Sequence, residues 1–241
     1  MSGPAISVQG LSKRFGRRLA VDNLTFEVPA GSVCGFLGRN GSGKSTAIRM
    51  MMNLLDPTAG RVTLLGLDSR RDHTALMRRV GYVSELPVPY EWMKVKALVR
   101  FTAEFYPVWN HGRVNELLDR FSIDREQKVH LLSRGTRAQL ALALALGGDP
   151  ELLILDEPAT GLDVIVRRDF LESIIQLIQL EGRTVLFSSH LLHEVERVAD
   201  QVVIIDDGSL VRSGSMEDLK RSTGLSLEES FVEEVGAEKR A

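Results

Sequence analysis

The sequence has a single cysteine, no long apolar run and no surplus of either charge, and each shortage excludes something. A lone Cys34 cannot close an internal disulfide, which suits a reducing cytosol and excludes a disulfide-stapled secreted scaffold. It lies within Val33-Cys34-Gly35-Phe36-Leu37, so a buried thiol is expected rather than a catalytic one. No apolar stretch approaches the roughly 20 residues needed to cross a bilayer. Met1–Ser7 lacks the basic and apolar regions of a signal peptide. The expectation is a chain soluble by itself that does any membrane work through a partner. Thirty basic against 32 acidic residues leave a formal net charge of −2. That balance offers no global attraction to nucleic acid or to an anionic bilayer. The basic pairs Arg70–Arg71 and Arg78–Arg79 read as solvated faces. Internal repeats and low-complexity segments are also missing.

What is present is a chain of 241 residues with 44% hydrophobic content, ample for a buried core. Val33–Leu37, Leu152–Leu155, Thr184–Phe187 and Val202–Ile205 are continuous apolar runs, the pattern of strands buried on both faces. Helical patterns follow the first three. They cover Ser45–Leu55, with Ile48, Met51, Met52 and Leu55 on one stripe, then about Val164–Leu180, with Phe170, Ile174, Leu177 and Ile178, and then Leu191–Val198. Strands alternating with helices predict a parallel sheet covered on both faces. The Met50–Met52 triplet reads as core filler. Residues 5–30 and 59–66 carry short runs bounded by Gly and Pro and predict a small antiparallel sheet. Residues 91–146 are helical in pattern, interrupted near Pro107 and around Ser122–His130, and read as an insert. Ser226-Leu227-Glu228-Glu229 has a capping-box pattern that predicts a short C-terminal helix.

Chemistry concentrates in a few places. Gly38-Arg39-Asn40-Gly41-Ser42-Gly43-Lys44-Ser45 fits G-x-x-x-x-G-K-[ST], between an apolar strand and an amphipathic helix. Glycines let the backbone bend so that successive N–H groups face one cradle. Ser45 and Thr46 open a helix whose N-terminal partial charge favours phosphate. Lys44 supplies a compact cation for the β and γ oxygens of a triphosphate, and the Ser45 hydroxyl can ligate Mg²⁺. Leu152–Leu155 ends in Asp156 and Glu157, at the strand end where ligands bind in parallel sheets. Asp156 would hold Mg²⁺, directly or through water, and Glu157 would polarise the attacking water. Leu132-Ser133-Arg134-Gly135-Thr136 leads into an Ala/Leu-rich helix, which alone is an ordinary cap. His190 follows a strand at the same sheet edge. A lone histidine there is more often structural, and a His190/Glu194 metal pair has no third ligand nearby in the sequence.

The order of these pieces resembles the ATP-binding cassette of ABC transporters, of the bacterial exporter type, over about residues 5 to 235. The resemblance implies a P-loop NTPase α/β fold, with a mainly parallel sheet, a small antiparallel β subdomain and an inserted α-helical subdomain. It divides the chain into 1–90 and 147–223 as core with the antiparallel sheet, 91–146 as the helical insert, and 224–241 as a short helix and tail. By resemblance Gly38–Ser45 is the Walker A loop, Leu152–Glu157 the Walker B strand, Leu132–Thr136 the signature motif, Ala159–Asp163 the D-loop and His190 the switch histidine. Phe15 resembles the aromatic residue that stacks on adenine. ATP with Mg²⁺ is then the expected ligand. The implied ATP-contacting set is Phe15, Gly38 to Thr46, Ser133, Gly135 and Asp163. Ser45, Asp156 and Glu85 are the metal set, and Lys44, Glu157 and His190 the catalytic residues.

Two positions depart from the family pattern. Glu85 stands where the Q-loop has glutamine, and a carboxylate ligates a cation but cannot donate a hydrogen bond. Arg134 and Thr136 replace a glycine and the glutamine of the signature, so phosphate contact is carried over to Ser133 and Gly135 only. The implied partners are a transmembrane permease subunit, on the inner face of the cell membrane, and a second ATP-binding subunit, identical or related. No nucleic acid is expected. The ending Gly224–Phe231 and the Phe105-Tyr106-Pro107-Val108-Trp109 segment resemble exporter-type cassettes. A soluble ABC-type ATPase acting on DNA, ribosomes or protein complexes, and a non-hydrolysing nucleotide sensor, are the competing readings.

Overall fold

The computed structural model describes residues 3–85, 90–160, 162, 167, 170–171, 175 and 181–223. Its centre is a six-stranded sheet. In chain order its strands are β3 (Val33–Leu37), β6 (Val80–Val83), β7 (Leu152–Leu155), β8 (Thr184–Ser189), β9 (Gln201–Asp206) and β10 (Ser209–Ser215). Across the sheet they run β10-β9-β3-β8-β7-β6. All neighbouring pairs are parallel except β9–β10, a hairpin that closes one edge. A second sheet is antiparallel, in the order β2-β1-β4-β5. It uses β1 (Ile6–Phe15), β2 (Arg18–Val28), β4 (Ala59–Leu64) and β5 (Leu67–Asp68).

The continuous apolar runs behave as two-faced strands. Val33, Leu37, Leu153, Leu155, Val185, Phe187, Val202 and Ile204 join one buried cluster. Their alternates Cys34, Phe36, Leu152, Ile154, Leu186, Val203 and Ile205 join another, on the opposite face. The period-two alternation of strand side chains thus feeds two cores from one sheet. One core is shared with α1 (Lys44–Met51) and the antiparallel sheet. The other is shared with α3 (Val95–Ala103), α4 (His111–Arg120) and α5 (Arg134–Gly147). Short α2 (His73–Leu76), α6 (Leu192–Val198) and α7 (Met216–Thr223) are further helices, and Val129–Leu131 form a single 3-10 turn. The mid-strand Gly35 has a packing cause. A Cβ there would lie 2.0 Å from Val195 Cγ1, so α6 rests directly on the β3 backbone.

The first helix stops at Met51 rather than continuing to Leu55. Asn53 turns to φ 52°, a left-handed conformation that Asn tolerates, and the last turn closes with the Met52 N–H on the Ile48 carbonyl and the Asn53 N–H on that of Met50. Met50, Met51 and Met52 are all buried, as core filler should be. Of the pattern at 164–180, Phe170 is helical and buried, while Ile174, Leu177 and Ile178 lie outside the described residues, as does 224–241. No helix among the described residues is long and apolar enough to cross a membrane.

Candidate functional site

The carboxyl ends of β3, β8 and β7 lie side by side, and each strand delivers one part of a single cleft. This cleft holds about 530 Å³ and is lined by Phe15, Arg18, Ala20, Asn40, Gly41, Gly43, Lys44, Ser45, Thr46, Glu85, Glu157, Thr160 and His190. From β3 the chain enters the glycine loop. Gly43 sits at φ 104° just ahead of α1, and a Cβ there would lie 2.5 Å from the Ala20 carbonyl oxygen. Only glycine lets the loop press against β2 and still open a helix at Lys44. Gly208 donates its N–H to the Ser42 carbonyl at 2.9 Å and fixes the loop from the other side.

Lys44 is 5% exposed, a burial that an ammonium sustains only with partners. It donates to the carbonyls of Gly38 at 2.7 Å and Arg39 at 3.3 Å, and lies 3.4 Å from Glu157 Oε1. From β7, Asp156 is buried behind the cleft, where its Oδ1 accepts from Ser45 Oγ at 3.0 Å and from Ser188 Oγ at 2.8 Å. Burial pushes the Asp156 carboxyl above its ordinary range. The two hydroxyl donors oppose that rise and the Glu157 charge adds to it. Glu157 takes a left-handed φ of 48°, uncommon outside glycine. Its N–H donates to Ser188 Oγ at 2.8 Å, and its Oε2 accepts from Thr160 Oγ1 at 3.1 Å. The same Oε2 lies 3.0 Å from His190 Nδ1. From β8 come Ser188 and, past the strand end, His190.

The sequence-derived set divides in the fold. Phe15, Asn40, Gly41, Gly43, Lys44, Ser45, Thr46, Glu85, Glu157 and His190 meet at the cleft. Gly38 and Arg39 take part through their carbonyls, and Ser42 and Asp156 stand behind the lining. Ser133 and Gly135 do not line it. They open α5, where the Ser133 hydroxyl accepts from the Thr136 N–H at 3.1 Å as the N-cap. Asp163 lies outside the described residues. Glu194 pairs with Arg167 at 3.5 Å and accepts from Ser189 at 3.3 Å, so it is engaged structurally rather than as a ligand beside His190. Sequence reasoning missed Arg18, although the turn at Gly16–Arg17 places it directly across the hairpin from Phe15. It also missed Thr160 and Ser188, for which a hydroxyl at a strand end or turn is no signal by itself.

Among the described residues no three His, Cys, Asp or Glu side chains cluster as a metal cage. Ser45 on the lining, the Asp156 oxygen 3.0 Å behind it, and Glu85 on the same lining still suit magnesium. That ion keeps waters and phosphate oxygens and needs few protein ligands.

Comparison with known proteins adds a family context. A family model described as ABC transporter matches residues 21–160. The bacitracin transport ATP-binding protein BcrA of Bacillus licheniformis is 34% identical over 225 residues, 92% of this chain and 74% of its own length. The daunorubicin resistance ATP-binding protein DrrA3 of Streptomyces coeruleorubidus is 35% identical over 229 residues, 93% of this chain and 72% of its own. Among solved structures, an ATP-binding subunit of an ABC transporter superposes with a TM-score of 0.85 at 28% identity, covering 96% of this chain and 99% of that one.

Proposed function

The chain belongs to the ABC transporter family as an ATP-binding subunit, and from that membership we propose that it hydrolyses ATP in the cleft between Phe15 and His190 to drive a transmembrane partner. One observation carries the reading. Lys44, Ser45 with Asp156, Glu157 and His190 arrive from three different strand ends and meet at one opening that Phe15 also lines.

Each residue then has a task set by its chemistry. The loop 38–46 wraps the triphosphate with backbone amides, and Lys44 turns from the Gly38 and Arg39 carbonyls to the phosphate oxygens. Phe15, 49% exposed, offers a π face to the adenine. Glu157 accepts a hydrogen bond from the attacking water and takes its proton. The water oxygen bonds to the γ phosphorus as the bond to the β–γ bridging oxygen breaks, giving ADP and phosphate. His190 and Thr160 hold the Glu157 carboxylate from one side, which fixes where that water sits. Magnesium, when bound, draws charge off the phosphates, and Ser45, Asp156 and Glu85 are the residues that would hold it.

The site is completed by a second ATP-binding subunit, identical or related, whose Ser133 and Gly135 present the α5 N-terminus to the γ-phosphate. Asp163 is proposed to link the two sites. The insert 91–146, set between 1–90 and 147–223, is proposed as the part that meets the transmembrane subunit. Supporting this is a groove of about 240 Å³ beside Glu85, lined by Tyr82, Ser84, Tyr90, Phe101, Tyr106 and Leu144 among others. Tyr90, Phe101 and Phe105 stack edge-on at 5.1 Å along it, and Phe105 is 69% exposed. Export is the favoured direction, since the names of the similar proteins include bacitracin transport and daunorubicin resistance. The chain would then sit on the inner face of the cell membrane, held there by its partner. Phosphate release from Mg-ATP by protein copurified with its transmembrane partner tests the reading, with Lys44→Ala as control. Absence of Mg-ATP uptake in that complex would refute it.

A further inference from the structure

We propose that Ser188 is a positioning residue, a buried two-way clamp that sets both carboxylates of the site, and this rests on the hydrolytic reading above. Ser188 is the penultimate residue of β8, in the middle of the sheet. Its neighbour Phe187 pairs with Leu155 of β7, so Ser188 stands level with Asp156, while on its other side it pairs with Phe36 of β3. The alternation along β8 would otherwise put an aliphatic side chain here, as it does at Leu186. The position is 1% exposed, and a hydroxyl carried to that depth is unfavourable unless it is bonded. It is bonded in both senses. The hydroxyl proton goes to Asp156 Oδ1 at 2.8 Å, and the oxygen accepts the Glu157 N–H at 2.8 Å.

Those two bonds govern separate features of the site. The first aims Oδ1 of Asp156, which also accepts from Ser45 Oγ at 3.0 Å; with Ser188 attached, Asp156 keeps its orientation when Ser45 turns toward a cation. The second holds the peptide that gives Glu157 its left-handed φ of 48°. That conformation is disfavoured for a residue with a side chain and persists where surroundings determine it. It also sets where the Glu157 carboxylate begins, ahead of its contacts with Lys44 and His190. Ser189, one residue on, faces other partners: its oxygen accepts the Leu191 N–H at 3.0 Å and it donates to Glu194 Oε2 at 3.3 Å. Two adjacent serines thus serve two different loops, which makes Ser189 the natural control.

The test uses Ser188→Ala, Ser188→Thr and Ser189→Ala, compared with the parent in complex with the transmembrane partner and alone. In the nucleotide-free protein, hydrogen exchange at the Glu157 amide is expected to quicken by about tenfold or more in Ser188→Ala. Ser189→Ala should leave that amide protected. In the complex, Ser188→Ala should lower kcat by roughly 10- to 100-fold, the usual effect of removing a supporting hydrogen bond at such a site, while KM for ATP stays within about threefold. Ser188→Thr keeps the hydroxyl and should recover part of kcat. Unchanged amide exchange in Ser188→Ala overturns the proposal, whatever the activity. So does a kcat equal to the parent's, or a loss confined to KM. A parent complex that does not turn over ATP, while Ser188→Ala still quickens exchange at the Glu157 amide, would instead count against the hydrolytic reading and uphold the clamp.

Discussion

Lys44 Nζ lies 3.4 Å from Glu157 Oε1, with the two side chains 5% and 11% exposed. The cation proposed to meet phosphate is therefore held by its own chain, through this carboxylate and the Gly38 and Arg39 carbonyls. An incoming triphosphate must compete with those acceptors, and it meets the Glu157 charge on the way in. Glu157→Gln removes that charge while keeping the shape. Turnover should fall by at least about 100-fold, because the proton acceptor is gone. Affinity for Mg-ATP should rise by about threefold or more, because one repulsive charge near the phosphates is gone. Single-turnover phosphate release and equilibrium nucleotide binding measure the two effects separately. A variant hydrolysing at the parent rate would remove Glu157 from its assigned role.

How far the sequence anticipates this site depends on where each signal comes from. Strands buried on both faces declare themselves by unbroken apolar runs, which is why β3, β7, β8 and β9 are legible. The edge strand β10 reads Ser-Leu-Val-Arg-Ser-Gly-Ser, largely polar with no residue fully buried, and nothing in that run announces pairing with β9. Strand β6 is only four residues long and carries Gly81 in its middle, too little for a periodicity argument. At the site, Lys44 and Ser45 are fixed by a local motif that needs no tertiary information. Ser188 is not, because its meaning comes from lying level with Asp156 in a neighbouring strand 32 residues away in sequence. Arg18 is an intermediate case, visible once the turn after Phe15 is placed and its cross-strand partner is counted.

Phe15 lines the end of the cleft proposed to take the nucleobase. Lys13 Nζ sits 5.1 Å from the centre of its ring and donates to the Asp56 carbonyl at 2.6 Å, so a cation is anchored against the ring. Phe15→Ala should weaken ATP binding by about tenfold or more, from the loss of roughly 1–3 kcal/mol of base stacking. Inorganic tripolyphosphate has no base, and its affinity should be unchanged. Competition of both ligands against a fluorescent nucleotide makes the comparison. An equal loss for the two would mean that Phe15 supports the glycine loop rather than a base.

The proposed two-subunit site has an equally specific signature. Ser133 is exposed, caps α5 and is proposed to face the γ-phosphate held by the other subunit. Ser133→Glu gives up the Ser133 cap, a cost of roughly 0.5–2 kcal/mol, which a negative charge at the helix N-terminus offsets by about 0.3–1 kcal/mol. The change should therefore leave folding intact and repel a phosphate arriving from outside. In a Glu157→Gln background with ATP, light scattering should report a dimer, and adding Ser133→Glu should return it to monomer. Nucleotide binding to each subunit's own P-loop should persist. A dimer that survives the charge would place the α5 N-terminus away from the interface.

The helical insert is tied to the sheet by ions, which makes its attachment sensitive to acid. Arg113 of α4 and Arg183 just before β8 both reach Glu181, each at 2.6 Å, and Arg183 continues to Asp149 at 2.5 Å. Burial pushes the Glu181 carboxyl up, and the two guanidinium hydrogen bonds together outweigh it, holding the group below its ordinary range. For an acid held low in the folded state, the stabilisation is fully present above the unfolded value of about 4.3 and disappears as pH falls through the folded value. Thermal unfolding should accordingly show a fall in Tm below about pH 4.3 that Glu181→Gln reduces, since an amide has no proton to take up there. At pH 7 that variant should be less stable by about 2 kcal/mol, the scale of hydrogen bonds to a charged group. If the parent and Glu181→Gln lose stability in parallel as the pH is lowered, Glu181 is not the group that titrates, and the ties between the insert and the sheet lie in the apolar core instead.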